Sequence, residues 1–267
     1  MKWKSFMGYN LPTLDHWENT QTSLQKISHL LKNFQVKTIN KKVLDLQHSV
    51  NLYSKGIKVD ISNKGHIFYN FARERITFKS GNNLLFEYPT HGKSIKAIAS
   101  ELHEKFRNLG IEIPLEMHKY VDETPISIDN KLAKEIAKTY WKLYSALARV
   151  KAKIFGTTSP LVLWTHHFDL AFLYFMTEKT TTSDPSVAFG FAPSSEGISR
   201  PYAYIYAWDG TKYVDINEKR LFEKSTLWNK GWHGVVLSYD DILTFKDPIK
   251  QIESFYLKMF EHFKEIF

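Results

Sequence analysis

The hydrophobic positions of this chain switch between two periods, which predicts helices separated by groups of strands. Apolar residues recur every three or four positions in some segments, as expected for the buried face of a helix. In other segments they alternate with polar residues or form short apolar runs, as strands do. The predicted helices span 13–34, 94–110, 129–156 and 247–267, and the predicted strands span 52–61, 66–78, 82–89, 159–176, 186–193, 201–208, 211–216 and 233–239.

Cap and turn residues indicate how these elements are joined. Ser94 and Asp247 precede two of the helices as side-chain caps, and Pro248 suits a first helical turn. The turns SNKG and SGNN contain Gly and Asn, which tolerate the positive φ of tight hairpins. Short turns join antiparallel strands, whereas parallel strands need crossover helices. The sequence therefore predicts an α+β fold with antiparallel sheets and helices packed on one face, arranged either as one larger sheet or as two similar helix-strands-helix halves.

The segment from Ile111 to Asp129 is the predicted connection between two parts of the chain. It contains Pro114, Pro125 and the acidic sequence VDET, which disfavour regular structure. The sequences G-x-G-x-x-G and G-x-x-x-x-G-K-[ST] are absent, which argues against dinucleotide and P-loop sites. The predicted organisation is a helix, strand meander and helix over 1–112, a connection over 113–130, and a C-terminal half over 131–267 that carries the candidate site.

Composition limits the chemistry and the location that we expect. The 267 residues are 43% hydrophobic and include no cysteine, which excludes disulfides, thiolate metal sites and a cysteine nucleophile. No apolar run reaches the roughly 18 residues of a membrane-spanning helix, and the N-terminus lacks the apolar segment of an export signal. We therefore expect a cytoplasmic protein without membrane contact. The oligomeric state stays open.

The net charge of +8 allows attraction to nucleic acid or to small anions. Lysines and arginines are spread along the whole chain, usually near an acid, which favours solvated faces over a nucleic-acid surface. Arg73 and Arg75 are expected to share one face of a strand, either as an anion clamp or, more simply, on its solvated side. His29 and His103 are interpreted as surface residues of amphipathic helices.

The stretch LWTHHFDLAF, residues 163–172, places three ionisable side chains in an apolar run. If residues 161–175 are extended, His167 and Asp169 share one face, while Trp164 and His166 share the other. A neighbouring carboxylate orients an imidazole and raises its pKa, so His167 and Asp169 form a candidate acid/base pair. The alternative is a core histidine that hydrogen-bonds a buried aspartate.

Two ligands do not make a metal site, so none is predicted, and the cofactor stays unknown. His233, in NKGWHGVV, is the best third partner for His167 and Asp169 if a metal binds.

The loop and strand FGFAPSSEGISRPYAYIYAW, residues 189–208, form a second candidate region. Glu196 and Arg200 lie in the loop, and Tyr202 and Tyr204 alternate along the strand that follows. Apolar walls with a few placed polar groups are typical of small-molecule sites. The alternative is a surface hairpin with tyrosines on an exposed sheet face.

Together the two regions predict a pocket for an anionic or polar aromatic small molecule. If the protein is an enzyme, His167 paired with Asp169 would be the general base in hydrolysis or proton transfer. Trp164, His166, Glu196, Arg200, Tyr202 and Tyr204 would contact the ligand. The alternatives are a binding or interaction protein without catalysis, and nucleic-acid binding through the distributed basic surface.

Three motifs resemble one known family. LPTLDHWENTQTSLQKISHLL, FGTTSPLVLWTHHFDLA and FGFAPSSEGISRPYAYIYAW are similar, in order and spacing, to family 5996 of the domains of unknown function. The resemblance spans most of the chain. It implies no particular activity, because that family has no assigned one.

The comparison with this family also exposes a difference. Its members carry G-x-S-P-G-D, four residues, and then E-P-Y-x-Y, and Gly190, Pro193 and Pro201 fit that pattern together with both tyrosines. Ser195 stands in place of the acid of G-D, and Arg200 stands in place of the Glu before Pro. If those acids bind a metal or donate protons in relatives, this chain has lost that capacity or uses Glu196 instead.

Overall fold

The structure is a computed structural model that describes residues 10–266. Residues 1–9, on which part of the export expectation rests, and Phe267, the last residue of a predicted helix, lie outside the described residues. The helices are α1 (Glu18–Val36), α2 (Ile95–Asn108), α3 (Asn130–Lys153), α4 (Tyr239–Leu243) and α5 (Pro248–Lys264). The strands are β1 (Ser49–Tyr53), β2 (Gly56–Ile61), β3 (Gly65–Asn70), β4 (Arg75–Ser80), β5 (Asn83–Pro89), β6 (Val162–Trp164), β7 (Asp169–Phe175), β8 (Ser186–Ala192), β9 (Tyr202–Trp208), β10 (Thr226–Trp228) and β11 (Gly234–Ser238).

The chain divides into two compact units, each made of separate stretches of sequence. Unit 1 consists of the described residues up to Thr13 together with 142–161 and 170–266, and unit 2 consists of 14–141 and 162–169. The predicted boundaries at 112 and 131 fall elsewhere in the chain and stay a prediction about its organisation.

Unit 2 contains an antiparallel sheet with one buried and one polar face. Its strand order is β6-β1-β2-β3-β4-β5, with Val59 opposite Ile67 and Ile67 opposite Phe78. These three side chains are fully buried, and Phe78 and Phe34 of α1 both contact the ring of Phe106 on α2. The alternation seen in the sequence therefore corresponds to a sheet that is covered by helices on one face.

Unit 1 contains antiparallel strands in the order β7-β8-β9-β11-β10. On one face, Phe189 of β8 contacts the rings of Tyr256 and Phe260 on α5. Tyr256 also donates its hydroxyl hydrogen to the Gly190 carbonyl oxygen at 2.6 Å. Helix α5 is thus fixed to the sheet by ring packing and by a buried hydrogen bond.

The predicted α+β class is confirmed, since every strand pair described within the two units is antiparallel. The caps also form: Ser94 Oγ accepts from the Ala97 N–H, and Asp247 Oδ1 accepts from the Lys250 N–H. The strand predicted over 211–216 is wrong. Only Tyr213 forms a bridge, to Trp208, because β11 pairs with residues 202–205 on that edge of β9 and leaves only the end of the strand open.

Candidate functional site

The strand predicted to run unbroken over 161–175 is interrupted, and that expectation is wrong. Strand β6 ends at Trp164, β7 begins at Asp169, and the four residues between them form a turn. Phe168 has φ +56°, a left-handed conformation that an extended strand does not allow. Its fully buried ring contacts those of Phe71 and Tyr140. Side-chain alternation therefore gives no ground for placing His167 and Asp169 on a common face.

The turn presents its two histidines to solvent and keeps its aspartate inside unit 2. His166 and His167 are exposed with ring centroids 4.3 Å apart, whereas Asp169 is buried. Burial, and then the charge of Asp169, raise the pKa of the Tyr140 hydroxyl well above its ordinary value. Half-buried Trp164 contacts the His166 ring at 6.2 Å. The catalytic role of His167 and Asp169 stays a prediction.

The turn also forms one end of a cavity of about 710 Å³, the His29 cleft, whose lining residues all belong to unit 2. One face of α1 forms a wall, and the irregular segment 115–122 forms another. Ile95 of α2 and the turn residues Thr165 and His166 complete it. Gln25 of α1 fixes this end, because its Nε2 donates to the His166 carbonyl oxygen at 2.8 Å.

Both histidines of the His29 cleft have lowered pKa values. Burial lowers the pKa of His29 to about 4, and the charges of Lys32, His166 and His48 contribute in that order. Burial also lowers the pKa of His166, followed by the charges of His167, Lys32 and His48. The causes of both shifts are thus desolvation and neighbouring positive charge. No acidic group is among the causes of either shift, and the neighbouring charges that act on the two histidines are all basic.

A hydrogen-bonded chain of three side chains continues along α1. Lys32 Nζ donates to Asn33 Oδ1 at 2.7 Å, and Asn33 Nδ2 donates to the Tyr120 oxygen at 3.1 Å. Burial lowers the pKa of the Lys32 ammonium and raises that of the Tyr120 hydroxyl. Tyr120 therefore keeps its proton at neutral pH and can donate it in a hydrogen bond to a ligand in the cleft.

Ion pairs join the two walls at the rim of the His29 cleft. Lys26 Nζ lies 2.8 Å from Asp122 Oδ2, and Lys37 Nζ lies 2.8 Å from Glu116 Oε1. Lys119 also pairs with Glu116, and these two lysines, Lys119 first, lower the pKa of the Glu116 carboxyl to about 2. Each exposed pair stabilises little by itself, but together they hold the segment 115–122 against α1.

We expect acid to destabilise the protein through His29. Its folded pKa of about 4 lies below the roughly 6.5 of an unfolded histidine. The unfolded chain therefore binds the proton first, and stability is lost as pH falls from 6.5 through 4. Because His29 is only half-buried, we expect a loss of about 1–2 kcal/mol from this group. Urea unfolding at about pH 6.5 and about pH 4 should show a smaller loss of stability in H29Q than in the wild type. The exposed His118 is the control, since H118Q should keep the wild-type pH dependence.

The other predicted ligand-binding residues lie in unit 1. The Arg200 side chain already has two partners. Its Nη2 lies 2.8 Å from Asp240 Oδ1 and also donates to the Thr13 carbonyl oxygen at 2.7 Å. Glu196 is exposed in the loop. Tyr202 and Tyr204 are buried on β9, and both rings contact Trp232. Their binding roles stay a prediction.

His233 also belongs to unit 1, where its Nε2 lies 3.2 Å from Asp215 Oδ1. Within residues 10–266, no three His, Asp or Glu side chains are grouped so that they could hold a metal ion. In the same part of the chain, no helix has both the length and the apolar character needed to cross a membrane.

The sequence did not predict most of the His29 cleft. It assigned His29 to the surface of α1 and did not consider Asn33 or Tyr120, whereas the structure places all three in the cleft. The available signal was a second stripe on α1, since residues 22, 25, 26, 29, 33, 36 and 37 share a face beside the apolar one. What covers that stripe could not be inferred locally.

A family model described as a family of unknown function matches residues 10–266. No curated protein and no solved structure matches the chain.

Proposed function

The chain belongs to DUF5996, the family whose model covers residues 10–266, and we propose that it binds a small carboxylate-bearing molecule in the His29 cleft. The observation that carries this proposal is the pair of histidines that line the cleft, with two further basic groups close enough to act on both. His29 and His166 have lowered pKa values, and Lys32 and His48 act on both. An anion in the cleft would relieve the repulsion among these four groups.

The size and lining of the cleft favour a ligand with an apolar part. Its volume of about 710 Å³ lies in the range of about 300–1,000 Å³ that is usual for small-molecule sites. Leu30, Val36 and Leu115 supply apolar surface, while Asn33 and Tyr120 supply neutral polar groups. An aromatic or short aliphatic carboxylate matches this combination, with the carboxylate towards the histidines and the apolar part between the walls.

Binding of such an anion should be coupled to proton uptake. A carboxylate beside His29 and His166 favours their charged forms, so both pKa values rise in the complex. The complex then binds more protons than the free protein, and affinity increases as pH falls. We expect up to about a tenfold gain per pH unit for each histidine that takes up one full proton.

The test uses benzoate and 4-hydroxybenzoate as probes in isothermal titration calorimetry, at about pH 7 and about pH 5.5. We expect one molecule to bind per chain, more tightly at the lower pH. The variants H29Q and H166Q should each weaken binding by about tenfold or more, equivalent to about 1.4 kcal/mol.

His118 provides a matched control, because it lies in the segment 115–122 but does not line the cleft. H118Q should bind both probes as the wild type does. The proposal is wrong if neither probe binds at millimolar concentration, if H29Q and H118Q bind equally, or if affinity does not change with pH.

Catalysis is a separate proposal. Proton transfer or hydrolysis by His167 and Asp169, a cytoplasmic location and nucleic-acid binding through the basic surface all stay predictions from the sequence.

A further inference from the structure

A second cavity of unit 2 collects positive charge instead of neutral polar groups. It has a volume of about 540 Å³ and is lined by Lys55, Arg73, Lys134 and Lys138, with no carboxylate among its lining residues. We call it the basic cleft. Lys55 comes from the β1–β2 turn, Arg73 from the β3–β4 turn, and the two lysines from the first half of α3. These three parts of the chain bring four cations to one concave surface.

The cations of the basic cleft differ from most others near them, because their charge is not balanced by an acid. Among residues 10–266, none of the four forms an ion pair with a carboxylate. By contrast, Arg75, which the sequence places beside Arg73 on one strand face, pairs with Glu87 at 2.8 Å. The expectation that the two arginines share one face of a strand is wrong, because Arg73 lies in the turn before β4. The turn separates the two arginines, so that only Arg75 is neutralised.

Lys134 and Lys138 lie on α3 beyond its first turn and share one face of the helix. They are four residues apart, so their charges repel one another on the same face. A bound anion would offset this repulsion, which gives the arrangement a physical reason.

Arg73 lies in a turn that is held in place by the contacts of the next residue, Glu74. Glu74 has φ +46° and directs its carboxylate inward, where Oε1 lies 3.0 Å from His91 Nδ1. Its carbonyl oxygen accepts from the Thr90 N–H at 2.8 Å. The amide of Asn130, with its nitrogen towards acceptors, donates to Glu74 Oε1 at 3.0 Å and to the Ala72 carbonyl oxygen at 3.1 Å. The turn and the start of α3 are thereby joined at the floor of the cleft.

The neutral side chains of the basic cleft also favour an acceptor-rich ligand. Asn70 Oδ1 accepts from the Arg73 N–H at 3.1 Å, which leaves its amide hydrogens as donors. Ser54 adds a hydroxyl. Phosphate oxygens accept hydrogen bonds, and both arginine and lysine bind them.

We propose that the basic cleft binds a small phosphorylated molecule with at least two phosphate groups. Four cations around one cavity exceed what a single carboxylate needs, and a concave site of this size suits a small ligand better than a nucleic-acid strand. This site is separate from the His29 cleft, with which it shares no lining residue.

The test uses inorganic pyrophosphate in isothermal titration calorimetry at physiological ionic strength. We expect one pyrophosphate per chain and a loss of at least about tenfold in affinity for K134Q, K138Q and R73Q, since each removes a charge-assisted contact. Lys131 is the matched control: it is exposed in the first turn of the same helix but does not line the cleft. K131Q should bind as the wild type does, and H29Q should too, which separates this proposal from the previous one.

A labelled single-stranded RNA and its duplex serve as the competing ligands. The proposal is overturned if pyrophosphate does not bind, whether or not the RNA does. It is also overturned if K131Q weakens pyrophosphate binding as much as K134Q. Circular dichroism of each variant at the assay temperature shows whether a loss of binding reflects unfolding.

Discussion

Replacing Phe168 by alanine is expected to lower the free energy of unfolding by about 3–5 kcal/mol. The ring is fully buried and packs against Tyr140 at 5.2 Å and Phe71 at 6.3 Å, so its removal leaves a cavity in the core of unit 2. Alanine keeps a Cβ, and therefore the left-handed backbone at this position gains no relief from the change. Urea unfolding followed by circular dichroism would measure the loss.

Phe155 provides the control, because its side chain is 100% exposed. F155A removes the same atoms without opening a cavity and should change stability by no more than about 0.5 kcal/mol. Similar results for the two variants would mean that Phe168 does not anchor the turn. The position of His166 in the His29 cleft would then lose its structural basis.

The regular elements could be predicted because their signals are local. Ser94 and Asp247 cap the helices that begin at the residue directly after each of them. The apolar positions of α3 repeat within one continuous segment. Short turns between strands were enough to predict antiparallel pairing, and hence the α+β class.

The turn at 165–168 could not be predicted from the same kind of signal. It contains no Gly, Pro or Asn, and its left-handed residue is a phenylalanine, which rarely adopts that conformation. A tertiary contact explains it, since Tyr140 donates its hydroxyl hydrogen to the Phe168 carbonyl oxygen at 3.0 Å from 28 residues away. The sequence predicted one strand here because a short apolar run does not distinguish a continuous buried strand from another buried segment.

Both clefts depend on contacts between residues far apart in sequence. Lys26 and Asp122, which join the walls of the His29 cleft, are separated by 96 residues. The basic cleft joins a hairpin turn at Arg73 to a helix that begins at Asn130. Local patterns identified His166 and Arg73 as candidates, but their partners became visible only with the tertiary structure.

Replacing Gly56 by alanine is expected to lower the free energy of unfolding by about 3 kcal/mol. A Cβ at this position would lie 1.9 Å from the Tyr69 carbonyl oxygen, a contact that real structures do not allow. The oxygen cannot move aside easily, because Tyr69 is fully buried and β3 is paired on both sides, through Ile57 and Ile76. The strands β2 and β3 would have to separate locally, which urea unfolding would detect.

Gly81 separates this clash from the general cost of replacing a glycine. It has φ +55° and no atom within 4 Å of an added Cβ, so G81A should cost only the roughly 1 kcal/mol of a left-handed alanine. If G56A cost no more than G81A, β2 and β3 would not be paired with Ile57 opposite Tyr69. That register also sets Gly56 opposite Asn70, and with it the placement of Lys55 beside Asn70 in the basic cleft. The stability of this one variant therefore tests the sheet and the geometry of the proposed phosphate site together.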